Sequence, residues 1–225
     1  MKRIFIAYIA LLITTSCNHK ENFTIEGKVT DETFTGSKIY LVALDGPVSK
    51  NVDSTIIVDR SFRFETEADS MCVKILRVPV RYPNLIEDLV VVTEPGKINV
   101  VMSAISHGKG TRLNNILQEW KEKKHNYDSI QWALYSGINS GTLNQKASDS
   151  LNISLKKLND IFMSDVIRLQ NENIHNGIGL LMFKLYFNAL PVDEKNRILE
   201  IAGKNYSEKD AELKRMIGSD RNGKK

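Results

Sequence analysis

The hydrophobic period of the chain changes once, near Gly110, and that change narrows the folds open to it more than any other feature. Before it, apolar residues recur at every second position. Phe23, Ile25, Gly27 and Val29 alternate with Thr24, Glu26, Lys28 and Thr30, the pattern of a strand with one buried face. KIYLVAL, STIIV, SFRFET, MCVKILRV, LIEDLVVV and KINVVM supply further strands, separated by the turn formers TGS, DGPVS, VDR, PVRYPN and EPG. Strands this short and this evenly spaced predict a β-sandwich or small barrel over residues 23–104. In EPG, Pro95 fixes one φ and Gly96 supplies the positive φ of a tight turn.

After Gly110 the period becomes helical. Leu113, Ile116, Leu117 and Trp120 fall at i, i+3, i+4 and i+7, and Leu151, Leu155, Leu158, Phe162 and Leu169 mark a second amphipathic helix. GLLMFKLYFNAL, residues 179–190, is apolar on nearly every side and predicts a central helix ended by Pro191. Its expected neighbours are the two helices before it. Any part they leave uncovered, with Phe183, Tyr186 and Phe187, is the candidate partner surface. VDEKNRILEIA gives a fourth helix, and Ser207 with Asp210 resembles a capping box opening a fifth. The fold class is therefore α+β: an N-terminal antiparallel β-sandwich-like domain, then an all-helical domain over residues 105–218, with 219–225 as a disordered tail.

The N-terminus gives an address. Lys2 and Arg3 precede an unbroken apolar run, residues 4–13, which stops at Thr14, Thr15 and Ser16. That order is a secretory signal, and the run is much shorter than the roughly 20 residues a spanning helix needs. Cys17 stands where a bacterial lipoprotein signal places its lipid-accepting thiol, although Thr14 occupies the position usually held by Leu. Residues 1–16 are read as signal peptide and 17–22 as tether. Lipid on Cys17 leaves Cys72 without a partner, so no disulfide is expected; Cys72, in an alternating strand, is read as a small buried thiol.

No catalytic or metal-binding pattern emerges. His19, His107, His125 and His175 are scattered, without ligand spacing. Glu87 and Asp88 are neighbours on a strand and point to opposite faces. SHGKGT, residues 106–111, is not a phosphate loop, because Gly110 separates Lys109 from Thr111; it is read as a flexible connection. With 31 basic against 27 acidic residues, the charge balance is too mild for a nucleic-acid protein. No metal and no cofactor is expected. Ser54, Ser129 and Ser150, each after an Asp, resemble the Asp-Ser/Thr-apolar acceptors of a periplasmic O-glycosylation system.

The motifs have an order as well as a type. FTIEGKV, GSKIYLV, VDSTIIVD, FRF, VVVTEPGKINVVM and GTRLNNIL together resemble the domain of unknown function 4369 family, found at the N-terminus of TlpA-like thiol-disulfide interchange lipoproteins of Bacteroidetes. The likeness spans roughly residues 22–120, and the helical remainder is similar to the linker region of those lipoproteins. Fuller members carry a thioredoxin-like domain with a Trp-Cys-x-x-Cys motif, which neither Cys17 nor Cys72 provides. The resemblance implies a shared fold and address, without oxidoreductase activity. The expected function is a non-catalytic binding or interaction module, lipid-anchored in the cell envelope at the outer membrane, with an envelope protein as partner. The alternative is an accessory module to a separately encoded thioredoxin-like enzyme.

Overall fold

The structure is a computed structural model and describes residues 21–44, 46, 52–141 and 143–222, with side chains through residue 218. Cys17 and the signal residues lie outside the described residues. The strands are β1 (Asn22–Val29), β2 (Lys38–Ala43), β3 (Asp53–Ile56), β4 (Ser61–Glu67), β5 (Asp69–Arg77), β6 (Leu89–Thr93), β7 (Gly96–Met102) and β8 (His107–Lys109). They form two four-stranded sheets, ordered β4-β1-β7-β8 and β3-β2-β5-β6. The pairs are antiparallel except β1–β7, which is parallel. The sandwich is antiparallel-rich rather than purely antiparallel.

The period of two in β1 is resolved as expected. Phe23, Ile25 and Val29 are buried between the sheets with Phe64, Ile98, Met102, Leu41 and Leu76, each worth roughly 1.5–3 kcal/mol of burial. On the outer face Glu26 sits between Arg63 at 2.5 Å and Lys97 at 3.1 Å, an exposed cross-strand set. The VDR turn is a hairpin in which Asp59 and Arg60 both take positive φ, 48° and 62°, as a two-residue connection matched to strand twist requires.

The second sheet is covered on both faces. In β6, Leu89 and Val91 face the sandwich core while Val92 and Val90 face the helices, which is why its sequence is an unbroken apolar run instead of an alternation. The helices are α1 (Arg112–Ile138), α2 (Gln145–Glu172), α3 (Gly177–Tyr186), α4 (Val192–Lys209) and α5 (Ala211–Asn222). α3 is two-sided. Ile178, Leu181 and Met182 pack with Leu113, Trp120, Phe162 and Val73; Leu180 and Phe183 pack with Ile198, Tyr206 and Leu213 of α4 and α5.

Several details differ from the sequence expectations. α3 stops at Tyr186, because the N–H groups of Ala189 and Leu190 both donate to its carbonyl in a tight turn before Pro191. α1 runs eighteen residues past Trp120, since Ile138 is its last residue; beyond Tyr127 it packs mainly on α2, so its apolar stripe is thin. SHGKGT is no loose connection, for residues 107–109 form β8 against β7. The cap of α5 is Asp210 itself, accepting from the Leu213 N–H at 2.7 Å, and Ser207 lies inside α4. The backbone of α5 continues to Asn222, past the boundary drawn at 218.

The layout has two poles. The carbonyl of Glu21 accepts from the Ala68 N–H and Phe23 lies opposite Gly96, so the chain enters beside the Glu-Pro-Gly turn. α1 starts at that same end and reaches the opposite end by Lys121, which meets Glu87 at 2.6 Å. Twenty-seven residues of helix span about 40 Å, so the far halves of α1 and α2 extend away from the entry point.

Candidate functional site

The motifs Glu-Pro-Gly and Gly-Thr-x-x-Asn converge on one junction. Thr111 precedes α1 but makes no side-chain cap, and the first-turn N–H groups of Leu113 and Asn114 instead donate to Oε1 of the buried Glu94. A carboxylate there satisfies orphan donors and complements the positive end of the helix dipole. Gly96 has φ 120°, and Gly110 has φ 150° with its backbone so close to Lys97 that a Cβ would lie 2.3 Å from the Lys97 carbonyl oxygen. Only glycine fits both demands at residue 110.

Asn114 then joins α1 to β6, accepting from the Val92 N–H at 3.0 Å and donating to the Val92 carbonyl at 2.7 Å. One turn on, Gln118 accepts from the Gly108 N–H of β8 at 3.2 Å. β6 and β8 are edge strands of the two sheets, so α1 closes the open side of the sandwich with two amide side chains.

Past Gln118, α1 parts from the sheet and leaves a groove of about 820 Å³ between α1, α3 and the outer face of the second sheet. Leu44, Ile75 and Val90 form its floor, with Leu117 and Trp120 on one wall and Leu181 on the other. Leu185, 59 % exposed, stands at the mouth. Trp120 is fixed by stacking on Phe162 at 5.4 Å and by the edge of Tyr186 at 6.4 Å. Burial raises the Tyr186 hydroxyl to about 12, so it stays neutral. The rim is charged but internally neutralised: Glu87 pairs with Lys121, Asp88 with Arg77, Glu122 with Lys109 and Asp128 with Lys124.

The residues singled out from sequence fall as follows. Phe183 and Phe187, 0 % and 4 % exposed, are core and present no partner surface; the reason is that α4 and α5 cover the side of α3 that α1 and α2 leave open. Tyr186 packs inside, behind Trp120. Ser129 and Ser150 are exposed on α1 and α2, and Ser54 is half-buried in β3 opposite Tyr40. Cys72 is half-buried and free. Glu87 and Asp88 part, one to Lys121 and the other to Arg77, but neither is in a strand as expected, because β6 begins only at Leu89. Among the described residues no cluster of His, Cys, Asp or Glu is arranged to hold a metal. The groove has no signature in the sequence, because its floor and walls come from segments far apart in the chain; Asn114 lies in the Gly-Thr-x-x-Asn motif, which carries no sign of what it grips.

These features define a two-sheet sandwich backed by a helical layer with a groove between them. Residues 23–117 match the family model described as Domain of unknown function (DUF4369), the family that the motifs resemble. That span ends within α1, just after the Asn114 junction, so the motifs and the junction are the same residues. No curated protein and no solved structure matches the chain. No helix among the described residues is long and apolar enough to cross a membrane.

Proposed function

We propose that the chain is a non-catalytic envelope module, anchored at the outer membrane by lipid on Cys17, that binds a ligand in the groove beside Trp120. The observation that carries the binding role is the groove: its volume, about 820 Å³, lies in the roughly 300–1,000 Å³ range of ligand pockets, and an apolar interior within a polar rim is their usual make-up. The address rests on the sequence of residues 1–17. The layout is consistent with both, since Glu21 and the groove mouth at Ile105, Lys124 and Leu185 lie toward opposite ends of the sheets. An anchor preceding Glu21 therefore attaches at the end of the sheets remote from the mouth.

Photo-crosslinking in intact cells tests this. A benzophenone amino acid at position 185, on the groove mouth, is expected to give a discrete adduct, and the same group at position 28, on the outer face of the first sheet, none. Equal labelling from both positions removes the groove as the binding site.

A further inference from the structure

β6 is an edge strand of its sheet, and an edge leaves backbone groups available for another strand. Because Asn114 takes both the N–H and the C=O of Val92, those groups point away from β5. Residues of an antiparallel strand alternate between facing the partner and facing away, and the pair Ile75–Val90 lies two steps along the ladder from Val73–Val92. Val90 therefore turns its N–H and C=O outward on the same side. Among the described residues neither has a hydrogen-bond partner on that side.

α1 does not fill the space beside Val90. It touches β6 through the short Asn114 side chain, turns Gln118 toward β8, and reaches Glu87 only through the full length of Lys121. Val90 and Leu117 both line the groove there. A hydrocarbon placed there covers an amide and a carbonyl without satisfying them, which is costly. A peptide in extended form presents the complementary partial charges at the required spacing. The rim carboxylates and ammonium groups already have partners at 3.5 Å or less, so the complement is a segment without charge.

We infer that the groove takes an uncharged, extended segment of another polypeptide, added as a strand on β6. The segment pairs with Val90, stops where Asn114 occupies Val92, and lays its apolar side chains on Leu117 and Trp120. The inference rests on the groove being the ligand site and adds the class of ligand. It also gives Asn114 a second role: its carboxamide stands where the next pair of an added strand would bond, and so fixes the register of what binds.

The test uses the chain carrying Cys17→Ala, purified without detergent, and three probes: the blocked peptide acetyl-Thr-Val-Thr-Val-Thr-amide, its fully N-methylated analogue, and decanoate. Nuclear magnetic resonance follows the Val90 amide and the Trp120 indole. The plain peptide is expected to shift both signals and slow Val90 amide exchange at least tenfold, with the N-methylated peptide binding at least tenfold more weakly. Val90→Pro removes the outward N–H at an edge position that tolerates proline and is expected to abolish the response. Should that variant not fold, the N-methylated peptide still decides. Equal binding of the two peptides, or a Trp120 response to decanoate alone, overturns strand addition while leaving the groove a ligand site. If no probe moves Trp120, the groove reading and the inference fall together.

Discussion

Asn114 holds Val92 by both of its backbone hydrogen-bonding groups, so one side chain of α1 acts as a short piece of strand on the edge of β6. The same carboxamide donates to Thr111 Oγ1 at 2.8 Å. An exposed edge is thereby closed at one residue and left open at the next. The helical layer and the sandwich are joined at that point by directional bonds as well as by apolar contact.

Truncating Asn114 leaves the Val92 N–H and C=O buried and unmatched. Asn114→Ala is expected to cost about 2–6 kcal/mol, at about 1–3 kcal/mol for each of the two unsatisfied groups, read from urea unfolding. A loss under about 0.5 kcal/mol would mean that water replaces the side chain and that the junction is not as described.

Asp210 caps α5 and also pairs with Lys184 at 2.9 Å, both side chains nearly buried. Asp210→Ala removes the cap and one carboxylate from a buried ammonium, for which losses of roughly 3–5 kcal/mol are typical; Glu212, 3.0 Å from Lys184, places the expected value near the low end. Lys184→Met is expected to cost less than half as much, because Asp210 keeps its bond to Leu213. Thermal unfolding of the two variants decides, and equal losses count against it.

Lys209 of α4 meets Asp69 of β5 at 2.6 Å and ties the helical layer to the second sheet. Burial pushes the Asp69 carboxyl up, but hydrogen bonds from Lys209 and from the Met71 N–H outweigh it and hold it below the usual carboxylate value of 3.8. A depressed folded value means that the stabilisation is present above the unfolded value and is lost as pH falls through the folded one. The hydrogen bond to Asp69 raises Lys209, so its share is present below the unfolded lysine value and lost as pH rises through the folded one. Both groups are more than a third exposed, so the pair is worth no more than about 1 kcal/mol at neutral pH. Asp69→Asn is expected to flatten the loss of stability below pH 4; an unchanged acid limb would assign that loss to other carboxylates.

The proposed lipid on Cys17 would account for the signal-like residues before it. The native protein is expected to partition into detergent and Cys17→Ala to stay in the aqueous phase, as removing all acyl chains abolishes stable anchoring. The intact mass of the native protein reads lipid and glycan together. Ser129 and Ser150, exposed on helices, are the favoured acceptors over the strand residue Ser54. A mature N-terminus at any other residue contradicts the assignment.

Much of the fold was legible because burial on one face writes a period into the sequence, as in Phe23, Ile25 and Val29 or in Leu113, Leu117 and Trp120. What the period does not carry is the partner of each face. Leu89 to Val92, apolar throughout, reads as a strand covered on both faces without saying what covers the second, and the ring of Phe187 reads the same in a core or on an interface. β8 is three residues long and contains glycine, too short for any alternation. The groove arises where α1, α3 and β6 diverge, and divergence between elements leaves no local trace. The junction left none either: Glu94 reads as part of the Glu-Pro-Gly turn, and Asn114 falls beside the stripe of Leu113, Ile116, Leu117 and Trp120 rather than in it.

The open edge is tested most directly by amide hydrogen exchange along β6 in the free protein. Val91 donates into the sheet and Val92 to Asn114, so both are expected to exchange slowly, with rates set by opening of the fold. Val90, facing the groove with no outward partner among the described residues, is expected to exchange at least a hundredfold faster than either. A Val90 amide as protected as its two neighbours would show that the edge is already closed, and the groove would then have no strand to offer.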